Sequence, residues 1–193
     1  MTNKSEAIHR SEDRSQALVL AAYHCIVEKG FEGLRVRDVA AQVGINPATL
    51  HYYFPTKEAL VHGVVLYVTQ RLAQTAATSE GSPKEQLRTH LHKLLLIMQA
   101  EPALFIALSE LKLRALRDPT IRASGQQQVE SWYEFLINIL QNGIKQGQWP
   151  DDLDPEAVAA AIIALVQSVS LNITLLPNRV EQTMKQIGRW LNL

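Results

Sequence analysis

Cysteine is nearly absent from this chain: Cys25 stands alone among 193 residues. That excludes a disulfide framework and any zinc or iron–sulfur site built from several thiolates. An excess of one charge is missing too, since 19 Lys and Arg face 19 Asp and Glu. With 47% of residues hydrophobic and no net charge, the chain lacks the signature of disorder. Neutrality also speaks against the broad basic surface that nucleic-acid binders commonly carry. Residues 1–10 hold no apolar stretch of the kind a secretory leader needs, so a cytoplasmic location is expected. No P-loop, G-x-S-x-G elbow or dinucleotide fingerprint occurs, so no enzyme and no cofactor is expected.

Strand alternation is absent as well, and helical periodicity takes its place. Leu18, Ala21, Ala22 and Cys25 fall at i, i+3, i+4 and i+7, one apolar stripe on which Cys25 is expected to be a buried, inert thiol. Ser11 is a good N-cap for this helix, and Gly30 follows its last turn. The prolines at 47, 55, 83, 102, 119, 150, 155 and 177 punctuate the helical pattern. The expectation is an all-α chain of about nine helices, at 12–29, 36–43, 47–53, 57–78, 83–100, 103–117, 120–147, 155–176 and 178–191. Residues 157–176 form the longest apolar run. Gln167, Ser168, Ser170, Asn172 and Thr174 crowd its second half, which fits a helix buried in a bundle better than a membrane span.

Residues 31–60 carry the functional signal. Val36, Val39, Ala40 and Val43 make the apolar stripe of a two-turn helix, and Gly44 supplies a tight turn. Asn46 and Pro47 are then an N-cap and an N1 proline for a short second helix, which Leu50 and Phe54 pin inward. This is the order of a helix-turn-helix, whose second helix enters a DNA major groove. At 100° per residue, Ala48, Thr49 and Tyr52 lie outward, flanked by His51 and Tyr53. Ala and Thr methyl groups suit thymine methyls, while hydroxyl and imidazole groups donate to phosphates. Lys57, beside a helix start capped by Thr56, offers a further phosphate site. Arg35 and Arg37 oppose the dipole of the first helix, a placement that a nearby phosphate would explain. Arg37 and Asn46 are the side chains best suited to reading base edges.

In residues 12–60 the chain resembles the DNA-binding domain of TetR/AcrR-family regulators. The resemblance rests on Glu28-Lys29-Gly30-Phe31, Val36-Arg37-Asp38-Val39-Ala40, Val43-Gly44-Ile45, Ala48-Thr49-Leu50 and the run from Tyr52 to Leu60. It implies DNA contacts at Arg37, Ala48, Thr49, His51, Tyr53 and Lys57. Two positions depart from the family pattern. Arg35 stands where a Thr or Ser cap is usual, and His51 replaces a common Tyr, placing a titratable donor at that contact. The domains expected on this basis are a flexible arm at 1–11, the helix-turn-helix domain at 12–56, and a helical effector-binding and dimerisation domain at 57–193.

Beyond the motif, bland readings compete with functional ones. His90 and His92 sit about 200° apart on a helix and cannot hold one metal ion, so no metal site is expected. Glu110 and Arg114 read as an i, i+4 ion pair. The runs 94–98 and 103–108, with Trp132, Phe135, Leu136 and Ile139, either fill a core or line a pocket. The family resemblance favours a pocket for a small-molecule effector, with Met98, Phe105, Trp132, Phe135 and Gln167 as candidates. Ile162, Leu165, Val169 and Ile173, then Val180, Met184, Ile187 and Leu191, form an amphipathic pair. By resemblance these last helices pair with a second copy, giving a homodimer and a palindromic double-stranded DNA operator. The expected function is a dimeric repressor released from DNA by a small apolar or amphipathic effector. The alternative is an effector-independent DNA-binding protein whose bundle serves only dimerisation or protein contacts.

Overall fold

A computed structural model describes residues 2–76, 80–172 and 176–193. Among them are nine α-helices and one 3-10 turn, with no strand. The helices are α1 (Thr2–Gly33), α2 (Val36–Gln42), α3 (Pro47–Tyr53), α4 (Lys57–Ala73), α5 (Pro83–Ala100), α6 (Pro102–Ala115), α7 (Pro119–Lys145), α8 (Pro155–Leu171) and α9 (Pro177–Trp190). Most boundaries fall within two residues of those expected. The exceptions are α1, which begins at Thr2 rather than 12, and α4 and α8, which end earlier than expected. The helix thus runs through the segment expected to be an arm, and Ser11 is an interior residue rather than a cap.

The chain divides into two compact units. The first is Met1–Val68 with Glu110–Gly125, and the second is Thr69–Ser109 with Gln126–Leu193. Helices α4, α6 and α7 each contribute residues to both, so the division is not a single cut after residue 56.

In the first unit, the stripe Leu18, Ala21, Ala22 and Cys25 is buried as the periodicity required, together with Ile26, Val39, Ala40, Leu50 and Leu60. Gly63 admits α1 closely, because a Cβ there would lie 2.8 Å from a methyl of Val19. In the second unit, Ser82 opens α5 with a capping box: its hydroxyl accepts from Glu85 N–H, and the Glu85 carboxylate accepts from Ser82 N–H at 2.8 Å. That backbone bond, foremost, holds the Glu85 carboxyl below its ordinary value. The Trp149 indole packs against Gly143, where any Cβ would collide with the ring, and donates to the Leu191 carbonyl at 2.9 Å. α8 buries Ala159, Ile162, Ile163, Val166 and Val169, and α9 buries Val180, Met184 and Ile187. Among the described residues no single helix is long and apolar enough to cross a membrane.

Candidate DNA-binding face

The helix-turn-helix is built by backbone chemistry at two points. At the end of α2, Gly44 takes φ +71°, its N–H bonds to the Ala41 carbonyl (3.1 Å), and Ile45 N–H bonds to that of Ala40 (2.9 Å). This paired closure needs a left-handed residue, which glycine supplies without strain. At the start of α3, Asn46 Oδ1 accepts from Thr49 N–H at 2.7 Å and from the Thr49 hydroxyl at 3.0 Å. Pro47 at N1 adds a preset φ, so a seven-residue helix that buries only Leu50 is held at its N-terminus.

What α3 leaves outside is the face expected for DNA. Ala48, His51 and Tyr52 are exposed, Tyr52 to 81%, while Thr49 and Tyr53 are half-buried beside them. The two tyrosine rings stack edge to face at 5.3 Å, which orients Tyr52 outward against Tyr53. The His51 ring is tethered by Nδ1 to the Pro55 carbonyl at 3.3 Å, so Nδ1–H donates and Nε2 faces away from that bond. Thr56 caps α4 as expected, its hydroxyl accepting from Ala59 N–H at 3.1 Å.

The three cations of the motif differ in their occupation. Arg37 is exposed and has no hydrogen-bond or ion-pair partner among the described residues. Arg35 has one: its Nη1 donates to the Glu32 carbonyl at 2.8 Å, in the last turn of α1. Its position at the uncapped start of α2 therefore has a structural cause, the carbonyl end of the preceding helix, and does not by itself require a phosphate. Lys57 sits with Nζ 5.2 Å from the centroid of the Phe31 ring, a cation–π contact that holds its amine beside the motif.

Glu110 and Arg114 do not form the ion pair that their spacing suggested. Glu110 instead accepts the Phe31 N–H at 2.9 Å, and Arg114 pairs with Glu32 (3.1 Å) and Asp118 (3.6 Å). Helical spacing permits a pair, but each group found a partner that offers more: a free backbone donor for Glu110 and two carboxylates for Arg114.

In the second unit the effector candidates separate into two kinds. Met98 and Phe105 are packed on all sides, at 0% and 1% exposure, so neither borders an open cavity here. Trp132, Phe135 and Gln167 are half-buried. Trp132 and Phe135 gather around His90, a residue whose spacing to His92 gives no metal pair. His90 is buried and its two ring nitrogens are both engaged: Nδ1 bonds the Thr75 carbonyl at 3.0 Å, and Nε2 accepts from the Trp132 indole N–H at 2.9 Å. This pattern describes a neutral imidazole, and burial pushes its pKa down. His92 is exposed, on the other side of α5, as the 200° separation required. The signal that marks His90 was present in the sequence: it lies in the stripe Leu87, Leu91, Leu94.

Most of the dimer candidates are already covered inside the protomer. Ile162, Val169, Val180, Met184, Ile187 and Leu191 are buried within the protomer's own bundle, and Leu165 is half-buried. Ile173 lies outside the described residues. An apolar stripe goes first to the core of its own chain, and these stripes pack α8 and α9 against each other and α9 against α5. The outer face of α8 consists of Ala157, Ala161, Ala164 and Ser168, all exposed, and Trp190 on α9 is 68% exposed.

Comparison with known proteins bears on both units. The model for bacterial regulatory proteins of the tetR family matches residues 18–64, and that for the C-terminal region of BetI-type transcriptional repressors matches residues 83–191. The HTH-type transcriptional regulator TtgR of Pseudomonas putida is 23% identical over 188 residues, covering 94% of this chain and 89% of the relative. Among solved structures, a TetR transcription regulator from Haloarcula marismortui superposes with a TM-score of 0.83 at 22% identity, over 94% of this chain and 97% of that one. A transcriptional regulator from Saccharomonospora viridis, solved in complex with choline, gives 0.76 at 20% identity, over 94% and 96%. These relatives are regulators rather than enzymes, and the structures carry the fold. With one model spanning the helix-turn-helix and the other more than half of the chain, the chain belongs to the TetR family of DNA-binding transcriptional regulators.

Proposed function

We propose that this regulator is a dimeric repressor that occupies a palindromic operator and is released by a small amphipathic effector. The observation that carries the DNA half is the face of α3: one residue, Leu50, is buried, Ala48, His51 and Tyr52 stand outward, and Arg37 on α2 is exposed with no partner among the described residues. In this reading α3 lies in the major groove, with Ala48 and Thr49 against base edges. Arg37, Tyr52, Tyr53, His51 and Lys57 take the flanking phosphates, and Arg35 and Asn46 chiefly support the helix ends. Two recognition helices in a two-fold dimer would sit roughly 34 Å apart, one turn of DNA. The outer face of α8, with Ala157, Ala161, Ala164 and Ser168, suits a second copy because small side chains let helices approach closely.

The effector half rests on the half-buried aromatics Trp132 and Phe135 around His90. A neighbour in fold was solved with choline, which supports a small cation with apolar substituents, a ligand that aromatic faces attract. The test starts with DNA recovered by selection from a random pool on the purified protein. Binding to that duplex is then measured against a metabolite and drug library that includes choline. Release by one compound is the expected result; undiminished binding across the library would remove the effector from the proposal. One observation favours that second reading: Met98 and Phe105 are solidly packed.

A further inference from the structure

We propose that Glu110, on α6, is a positioning residue for the DNA-reading face, acting through the break in α1 at Gly30 and the Phe31 ring. The inference rests on the DNA-binding reading above. α1 is not continuous: Gly30 has φ 71° and ψ 171°, so the helix breaks there and a last turn, Phe31–Gly33, leads into Arg35 and α2. A new turn starts with donors that have no partner inside it, and a carboxylate is the acceptor best suited to such a start. The partner comes from 79 residues away, for Glu110 Oε2 accepts the Phe31 N–H at 2.9 Å. The same oxygen would lie 3.4 Å from a Cβ at Gly30, so the carboxylate sits directly over the break.

Phe31 is then the hub. Its buried ring has Lys57 Nζ at 5.2 Å and the Arg114 guanidinium at 5.1 Å from the centroid. Arg114 is one turn beyond Glu110 on α6 and also pairs with Glu32 at 3.1 Å. Phe31 and Lys57 bracket the helix-turn-helix in sequence, so one residue ties together both ends of the reading segment, and α6 holds it twice, Glu110 at the backbone N–H and Arg114 at the ring. Lys57 is one of the phosphate contacts proposed above. A displaced Phe31 would move the amine of Lys57 and the entry into α2 together. All of these groups lie in one compact unit.

The experiment uses the full-length protein and the duplex selected on the wild type. Glu110→Ala leaves the Phe31 N–H without its acceptor and should weaken binding roughly tenfold, the scale of one sequestered donor left unpartnered. Glu110→Gln keeps an acceptor oxygen and should recover most of that loss. Stoichiometric titration gives the active fraction, so a folding defect is separated from a change in Kd. The decisive measurement is the double-mutant cycle with Lys57→Ala. If Glu110 acts by placing Lys57, the effect of Glu110→Ala shrinks at least severalfold in the Lys57→Ala background. Full additivity, or a wild-type Kd in Glu110→Ala, overturns the positioning role. Should Glu110→Ala fail to fold, Arg114→Met, which removes the guanidinium from the Phe31 ring, carries the same cycle. Failure of the wild type to select any DNA would instead overturn the reading on which this inference stands.

Discussion

The short helix α3 and the long C-terminal helices leave their proposed contact faces in opposite ways. α3 has seven residues and buries one of them, so nearly everything polar on it is left over for a partner. α8 and α9 bury eight side chains inside their own protomer, and apart from Trp190 the faces they leave over are small, polar or charged. In the first case the outward face can be derived by subtracting the anchor. In the second, the conspicuous apolar stripe is the anchor, and the surface that would meet a second copy is the inconspicuous remainder.

The largest effect should come from testing that contrast on α8. Ala161→Arg combined with Ala164→Arg adds two charges to an exposed face without touching the core. It should leave the helical content and unfolding temperature near wild type, yield monomers in sedimentation, and lower operator affinity by more than about a hundredfold through lost bivalency. A dimer that persists in the double variant would return the interface to some other surface. Met184→Ala is the counterpart on the buried stripe. It should cost about 2–5 kcal/mol of stability in denaturant titrations. The refolded fraction should dimerise normally. A dimerisation defect without loss of stability would show that the stripe does face a second copy after all.

A second contrast lies within the reading head, between the unpartnered Arg37 and the occupied Arg35. Arg37→Ala should weaken binding to specific and unrelated duplexes alike, and reduce the slope of log K against log salt by about 0.9, one phosphate's worth. Arg35→Ala should leave that slope unchanged while lowering stability slightly, since its guanidinium serves the Glu32 carbonyl. Equal slopes for both variants would break the distinction. The neutral charge of residues 1–60, with seven basic and seven acidic groups, makes single contacts visible in such slopes. Smaller still is the cap. Asn46→Ala should cost about 1 kcal/mol and Asn46→Gly only a few tenths, and DNA affinity should follow stability rather than base identity.

These contrasts also show what was legible in the amino-acid sequence. α3 and α5 match their expected bounds to the residue because Asn46-Pro47 and the proline at 83 announce their starts; the Ser82 cap of α5 shows only in the structure. The true start of α1, ten residues earlier than expected, is hidden because its polar first turns show no apolar stripe and Ser11 offers a plausible cap where the stripe is about to begin. Glu110 escaped because a local spacing rule proposes the neighbour four residues on and knows nothing of a freed N–H 79 residues away. The stripes of α8 and α9 are legible as buried faces, but periodicity says that a face is covered and not by what; within the protomer they are already covered. Trp149, which closes the end of the bundle, was overlooked because a lone tryptophan in a Gly-Gln-Trp-Pro turn has no helical register to flag it.

Mild acid gives the last and smallest test, and it should touch the bundle. His90 is neutral in the folded state: Nδ1 is engaged by the Thr75 carbonyl and Nε2 receives the Trp132 N–H, so an added proton would set two donors against each other. Burial, the main cause, and the nearby Lys93 lower its pKa, while the Thr75 bond works the other way. The unfolded chain takes its proton near the ordinary 6.5. Below that value the unfolded state therefore binds more protons than the folded one, and stability falls as pH drops towards the folded pKa. Above it neither state is charged at this site and the effect vanishes. Glu85, whose pKa is lowered from 4.5, contributes only further into acid. All three tryptophans, Trp132, Trp149 and Trp190, lie in the second unit, so indole fluorescence follows the bundle. Between about pH 7.5 and 5.5 the wild type should lose more stability by this probe than His90→Gln, which keeps both hydrogen-bonding roles without a titrating ring. Parallel curves would mean that His90 accepts its proton without leaving Trp132, and that this part of the bundle yields more readily than its packing suggests.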